Sequence, residues 1–238
     1  MKKYWLSGAL LLLLLLTLSG CFFREPEDLY QSPEQSADYL SLTQTIRNVK
    51  DSLAQEYGVE VEDVSVMSGD NTALIQLQDL DRDGERETAV TFFRVSEAEK
   101  PLKIYFFTRT AEDTYTVSAM VEGNGTAIYR VDYVDLNGSG CKEVVVSWQM
   151  STGVYLLGAY SLEEAMVRSL QYAASAPAGS ASAQGLPDRE ALRATEWMTT
   201  VYDNYALYDL DQDTRTELAV VRVDKAGTNS AVDLYGWR

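Results

Sequence analysis

The sequence predicts an all-β fold of repeated antiparallel units, preceded by a short N-terminal helix. Three observations lead there. From Val59 onward, apolar and polar residues alternate with a period of two in short runs rich in aromatic and β-branched side chains, and turn residues bound those runs. An aspartate-rich loop with glutamate at its ninth place then occurs three times, as Asp79-Leu-Asp-Arg-Asp-Gly-Glu-Arg-Glu87, Asp135-Leu-Asn-Gly-Ser-Gly-Cys-Lys-Glu143 and Asp209-Leu-Asp-Gln-Asp-Thr-Arg-Thr-Glu217. A β-patterned run follows each copy directly. A fixed unit recurring along a chain is the signature of a repeat architecture.

The chain opens with Met1-Lys2-Lys3 and a largely apolar run from Tyr4 to Leu16, too short for a comfortable membrane span and suited to the apolar region of a signal peptide. Leu18-Ser19-Gly20-Cys21 closely resembles the lipobox of bacterial lipoproteins. That resemblance implies a signal peptide over 1–20, cleavage before Cys21, and a lipid on the Cys21 thiol. The mature protein is then expected at the extracytoplasmic face of the cell membrane, held by its lipid. Residues 21–37 are polar, acidic and proline-containing, and read as a flexible tether. Over 38–58, Leu40, Leu42, Ile46, Val49 and Leu53 recur near the helical period, so a short amphipathic helix is expected, ended by Gly58.

The remainder, 59–238, divides into units of about 59–121, 122–172 and 199–238. In the first, strands are expected at Val64–Met67, Thr72–Gln78, Thr88–Val95, Leu102–Thr108 and Tyr115–Val121. The second repeats the order with Ala127–Val134, Val144–Met150, Val154–Ser161 and a closing strand at Ala165–Tyr172. The third has Val201–Tyr208, Leu218–Val223 and Ala231–Trp237. Loop starts lie 56 and then 74 residues apart. The small, low-complexity stretch 173–188 accounts for the difference as a flexible insert, with a short helix expected from Arg189 to Met198.

In each loop, places one, three, five and nine carry side-chain oxygen, and place seven offers its backbone carbonyl. The first copy presents Asp79, Asp81, Asp83 and Glu87, with Glu85 at place seven. The second presents Asp135, Asn137, Ser139 and Glu143, with Cys141. The third presents Asp209, Asp211, Asp213 and Glu217, with Arg215. Oxygen-only donors mixing carboxylates and neutral groups suit calcium better than a transition metal, for up to three ions. An EF-hand requires a glutamate at place twelve, followed by a helix; here that place holds Val90, Val146 and Val220 inside β-patterned runs. The second loop, short of two carboxylates, is expected to bind most weakly. The third has Thr214 in place of the glycine at place six, where a left-handed backbone would be strained.

This arrangement, from about Ala73 to Trp237, resembles the FG-GAP or VCBS-type repeat, and the chain is similar to uncharacterised Firmicutes lipoproteins that carry it. The resemblance implies β-propeller-like blades of four antiparallel strands with calcium in the loop joining the first two. The phenylalanine-glycine and glycine-alanine-proline signatures of the family are absent. Propellers close with four to eight blades, so about three units imply an incomplete propeller, expected to be a truncated form, with an open or intermolecularly completed sheet assembly as the alternative.

Composition narrows the function. There are 36 acidic and 20 basic residues, giving a net charge of −16, and no histidine. The charge argues against nucleic acid and anionic headgroups as partners. The missing histidine excludes Ser-His-Asp and Cys-His catalysis and histidine-ligated zinc. With Cys21 lipidated, Cys141 is left without an intramolecular partner, and its acidic loop disfavours the thiolate. A non-enzymatic, membrane-anchored calcium-binding protein offering a surface to an unknown protein or glycan is therefore expected. The alternatives are a glycan-binding or glycan-active protein using exposed Trp148, Tyr155, Trp197, Tyr202, Tyr205 and Trp237, and a structural fragment of a longer propeller.

Overall fold

The computed structural model describes residues 37–175, 187–213, 215–224 and 226–237. The expected signal peptide, Cys21, most of the tether, most of the low-complexity insert and Thr214 lie outside the described residues. Helix α1, Ala37–Tyr57, matches its expected span closely. Leu42, Val49 and Leu53 form its buried stripe. Gly58 ends it in the left-handed region at φ +69°, where its N–H donates to the carbonyl of Ala54 at 2.9 Å.

Sheet one contains β1 (Glu62–Asp63), β2 (Ile75–Gln78), β3 (Thr88–Arg94), β4 (Leu102–Arg109) and β5 (Tyr115–Gly123). β3, β4 and β5 form an antiparallel meander, and β1 and β2 pair with successive parts of the free edge of β3. The expected strand at Val64–Met67 is instead a bridging segment. Val64 N–H donates to Phe92 in β3, while Met67 and Ser68 donate to Ile128 and Tyr129 of the next sheet.

Sheet two is the antiparallel series β6 (Ala127–Val134), β7 (Glu143–Ser151), β8 (Val154–Ser161) and β9 (Thr195–Tyr202). Its fourth strand overturns two expectations. Ala165–Tyr172 is not a strand but part of helix α2, Glu163–Ser175. Leu162, Ala165, Met166 and Ser169 lie on one side at helical spacing, and Glu163 and Glu164 occupy the first turn, where the helix dipole favours them. The expected helix Arg189–Met198 shrinks to α3, Arg189–Leu192. The β-branched and aromatic residues after it extend into β9 and complete the sheet. The insert therefore interrupts sheet two rather than separating two units, and the second unit runs to Tyr202, not to residue 172.

Sheet three has three strands among the described residues: β10 (Asn204–Tyr208), β11 (Glu217–Val223) and β12 (Ser230–Tyr235). The fold is thus mostly β, with antiparallel sheets, a short N-terminal helix and no closed barrel.

Strand alternation explains how the sheets stack. In β7, Val144, Val146 and Trp148 face sheet one, while Val145 faces sheet three. In β4, Leu102, Ile104 and Phe106 face sheet two, and Tyr105 and Phe107 face α1. Burial on both sides is why these strands read as almost continuous apolar runs. A bulge opposite Phe106 and Phe107 leaves Ser118 extra in β5 and switches the strand's alternation. Tyr115 and Val117 then face α1, whereas Ala119 and Val121 face sheet two.

Trp148 is the largest fully buried side chain, and its indole N–H donates to the Tyr160 hydroxyl at 3.2 Å. Its ring lies flat against Gly123, where an added Cβ would fall 2.4 Å from ring atoms. Gly123→Ala is expected to lower stability by about 1–3 kcal/mol through overpacking. Urea denaturation followed by tryptophan fluorescence reads this directly, and an unchanged midpoint would contradict the packing described.

Candidate metal centre

Each acidic loop joins the first two long strands of its sheet: β2 to β3, β6 to β7, and β10 to β11. Three residues at place four adopt the left-handed region: Arg82 at φ 60°, Gly138 at φ 73° and Gln212 at φ 61°. Glycines at place six do so in the first two loops, Gly84 and Gly140. These reversals curl the backbone so that its N–H groups meet the aspartates. Asp81 accepts from Asp83 N–H at 3.3 Å, and Asp83 from Glu85 N–H at 2.8 Å. Asn137 and Ser139 accept in the same steps from Ser139 and Cys141. Asp211 and Asp213 do so from Asp213 and Arg215.

The loops then diverge. In the first, carboxylate oxygens of Asp79, Asp81, Asp83 and Glu87 all lie within 4.8 Å of one another. Asp79 Oδ1 and Glu87 Oε2 are buried without a hydrogen-bond partner among the described residues. Two orphaned oxygens facing shared negative charge fit a bound hard cation. Burial holds the Glu87 carboxyl above its ordinary range, and the charges of Asp81 and Asp83 add to this. Glu85 stands outside the converging carboxylates.

The third loop gathers Asp209, Asp211 and Glu217 within the same limit. Asp213 is not part of that set. Glu217 is partly engaged, accepting from Leu210 N–H at 2.8 Å.

The second loop brings no such group together; its donors are spent within the protein. Asp135 accepts from Gly138 N–H at 2.7 Å and Gly140 N–H at 3.1 Å, and Arg82 reaches over from the first loop to the same carboxylate at 3.1 Å. Glu143 accepts from Leu136 N–H at 2.8 Å. Arg215 of the third loop covers Gly138, where a Cβ would fall 2.9 Å from its Nε. Returning toward the first loop, Lys142 donates its side chain to the carbonyl of Asp79 at 2.6 Å and its backbone N–H to Leu80 at 2.7 Å. The three loops thus lie side by side, and Arg82 pairs with Asp135 of the middle one. The sequence reading missed Arg82 and Lys142 as cross-loop cations and treated Arg215 only as a carbonyl donor. The available signal was basic residues set within otherwise acidic loops.

Burial holds the Cys141 thiol above its ordinary range, reinforced by surrounding carboxylates. Of the aromatic residues named for the sugar-binding alternative, for which core packing of the sheets is the better sequence reading, Trp148, Tyr202 and Tyr205 are buried between sheets, while Tyr155, Trp197 and Trp237 are half-buried. Side chains that close a sheet interface cannot stack on a sugar. No helix among the described residues is long and apolar enough to cross a membrane. Comparison with protein families, curated proteins and solved structures finds no match to this chain.

Glu143 supplies a test of the middle loop. Its carboxyl is pushed up to about 7 by burial, with the Asp135 charge acting in the same direction. Because the folded state holds this proton more tightly than the unfolded chain, its contribution to stability is complete below the ordinary glutamate range. It is lost as pH rises through the folded value. Stability in calcium-free buffer should therefore decline between about pH 4.5 and 7, and Glu143→Gln should flatten that decline. Thermal melts across this range check both.

Proposed function

We propose that this is a membrane-anchored, extracytoplasmic, non-enzymatic protein whose FG-GAP-like loops bind calcium, and whose stacked sheets offer a surface to a protein or glycan partner. The observation that carries the reading is the first loop. Its four carboxylates converge, and two of their buried oxygens lack partners among the described residues. Calcium is the cation of choice for such an all-oxygen set in a flexible loop. Asp79, Asp81, Asp83 and Glu87 would hold one ion, and Asp209, Asp211 and Glu217 a second, weaker one. The middle loop, neutralised by Arg82, would hold none.

Calcium bound to the folded state alone stabilises by mass action, about 2.7 kcal/mol at a hundredfold excess over Kd. It would also relieve the repulsion among carboxylates near the β2–β3 turn. The lipobox-like Leu18–Cys21 and the polar residues after it support the anchored, extracytoplasmic placement.

Isothermal titration with calcium should show saturable heat, and the melting temperature should rise with calcium. Glu87→Gln should remove the larger part of both effects, and Asp135→Asn should leave calcium binding nearly unchanged. No heat and no rise in melting temperature would refute the proposal.

A further inference from the structure

The stretch from Pro187 to Ala194 crosses from α2 to β9 over the edge of sheet one. Its backbone meets sheet one at a single parallel bridge between Met120 and Arg193, in which Ala194 N–H donates to the Met120 carbonyl at 2.9 Å. Arg168 of α2 donates to the carbonyls of Ala191 and Arg193. Leu192 is buried beneath it against the α1 side of sheet one.

The remaining attachment is ionic and converges on one carboxylate. Glu122 of β5 is 7% exposed and accepts from three cations. Lys103 of β4, with no exposure, pairs with Oε1. Arg189 donates to that same oxygen at 2.7 Å, and Arg193 to Oε2 at 3.3 Å. Around them, α1 contributes Glu56, 2.6 Å from Arg189, and Tyr57, whose hydroxyl and ring Arg189 also meets. Lys100 and Glu196 line a small cavity beside Glu122. Arg189 Nε is buried without a partner among the described residues, so the seat is not fully satisfied.

We propose that residues 187–194 form an acid-releasable strap, held on sheet one by the Glu122 carboxylate and freed as a unit when that carboxylate is neutralised. Once protonated, Glu122 no longer offsets Lys103, which is fully buried, while Arg189 and Arg193 keep Glu56 and Glu190 as partners nearer the surface. Glu56 is exposed enough to keep Arg189 only at the rim. Leaving Lys103 as an unpaired buried cation is strongly unfavourable, and against it the strap retains the bridge to Met120, the two Arg168 bonds and the burial of Leu192. Release would open the cavity of about 390 Å³ between α1 and the strap, lined by Leu53, Glu56, Tyr105, Arg189 and Leu192.

Burial alone would raise the Glu122 carboxyl, but Lys103 and Arg189 overcome it and hold the group below its ordinary range. A depressed folded value contributes hold above the ordinary glutamate range and loses it as pH falls through the folded value. Release therefore belongs to distinctly acid conditions.

Hydrogen exchange with mass spectrometry on the intact protein tests this. Between about pH 6 and 3.5, exchange of the 187–194 peptide, corrected for the intrinsic rate, should rise by at least about tenfold while β4 and β7 stay protected. Glu122→Gln should show the released strap already at pH 6, without further pH response. If that variant fails to fold, Arg189→Ala with Arg193→Ala leaves the Lys103–Glu122 pair intact and should raise strap exchange to a similar degree at pH 6. Exchange of the strap only together with β4 and β7 at every pH would overturn the proposal. So would wild-type strap protection in either variant that folds.

Discussion

The acidic end of the molecule depends on one constraint: every carboxylate that a loop draws inward must meet positive charge or an N–H donor. The left-handed residue at place four and the N–H groups that follow it set the donors available. The middle loop comes closer to meeting this constraint, although burial still holds the Glu143 carboxyl above its ordinary range. Two glycine N–H groups and Arg82 satisfy Asp135, and Leu136 N–H meets Glu143. In the first loop the supply does not suffice, and Asp79 and Glu87 each keep a buried oxygen unpaired among the described residues. The same nine-residue unit has thus taken two forms, one whose carboxylates meet backbone N–H groups and Arg82, and one whose carboxylates converge in a group that could hold a metal ion.

The stacking of the sheets determines how this difference is shared. Sheet one is enclosed between α1 and sheet two, and sheet two between its neighbours. Trp148, Phe92 and Ile104 consequently reach almost complete burial. Among the described residues, sheet three is packed on one face only, and on its other face Tyr208, Val232 and Leu234 are more than half exposed. The loops inherit this order. The middle one lies between two others, close enough for Arg82 and Arg215 to reach it from either side, whereas each outer loop has a neighbour on one side. Lys142 ties the backbone of the first loop to the second, so a change of shape in one is felt by the other.

Much of this was legible in the sequence. The all-β class, the helix ended by Gly58, and ten of the strand positions followed from periodicity and turn residues, because those runs are buried by local alternation. The ranking of the loops followed from counting carboxylates. Other features were not legible. Ala165–Tyr172 mixes Ala, Met, Leu and Tyr in a run short enough to fit either period, and its packing against β5 of sheet one selects the helix. Thr195–Tyr202 lay beyond a low-complexity insert, so nothing local showed that it returns to β8. The Arg82–Asp135 contact spans 53 residues and depends on the loops being neighbours in space. Trp148 carried no mark distinguishing a core aromatic from an exposed one.

The central claim is that two loops hold an ion while Arg82 pairs with Asp135 in the middle loop. Anomalous diffraction from crystals soaked in a lanthanide that replaces calcium would test it most directly. The account predicts a strong peak among Asp79, Asp81, Asp83 and Glu87, a weaker one among Asp209, Asp211 and Glu217, and none beside Asp135. A peak in the middle loop with Arg82 displaced, or no peak in the first loop, would contradict it.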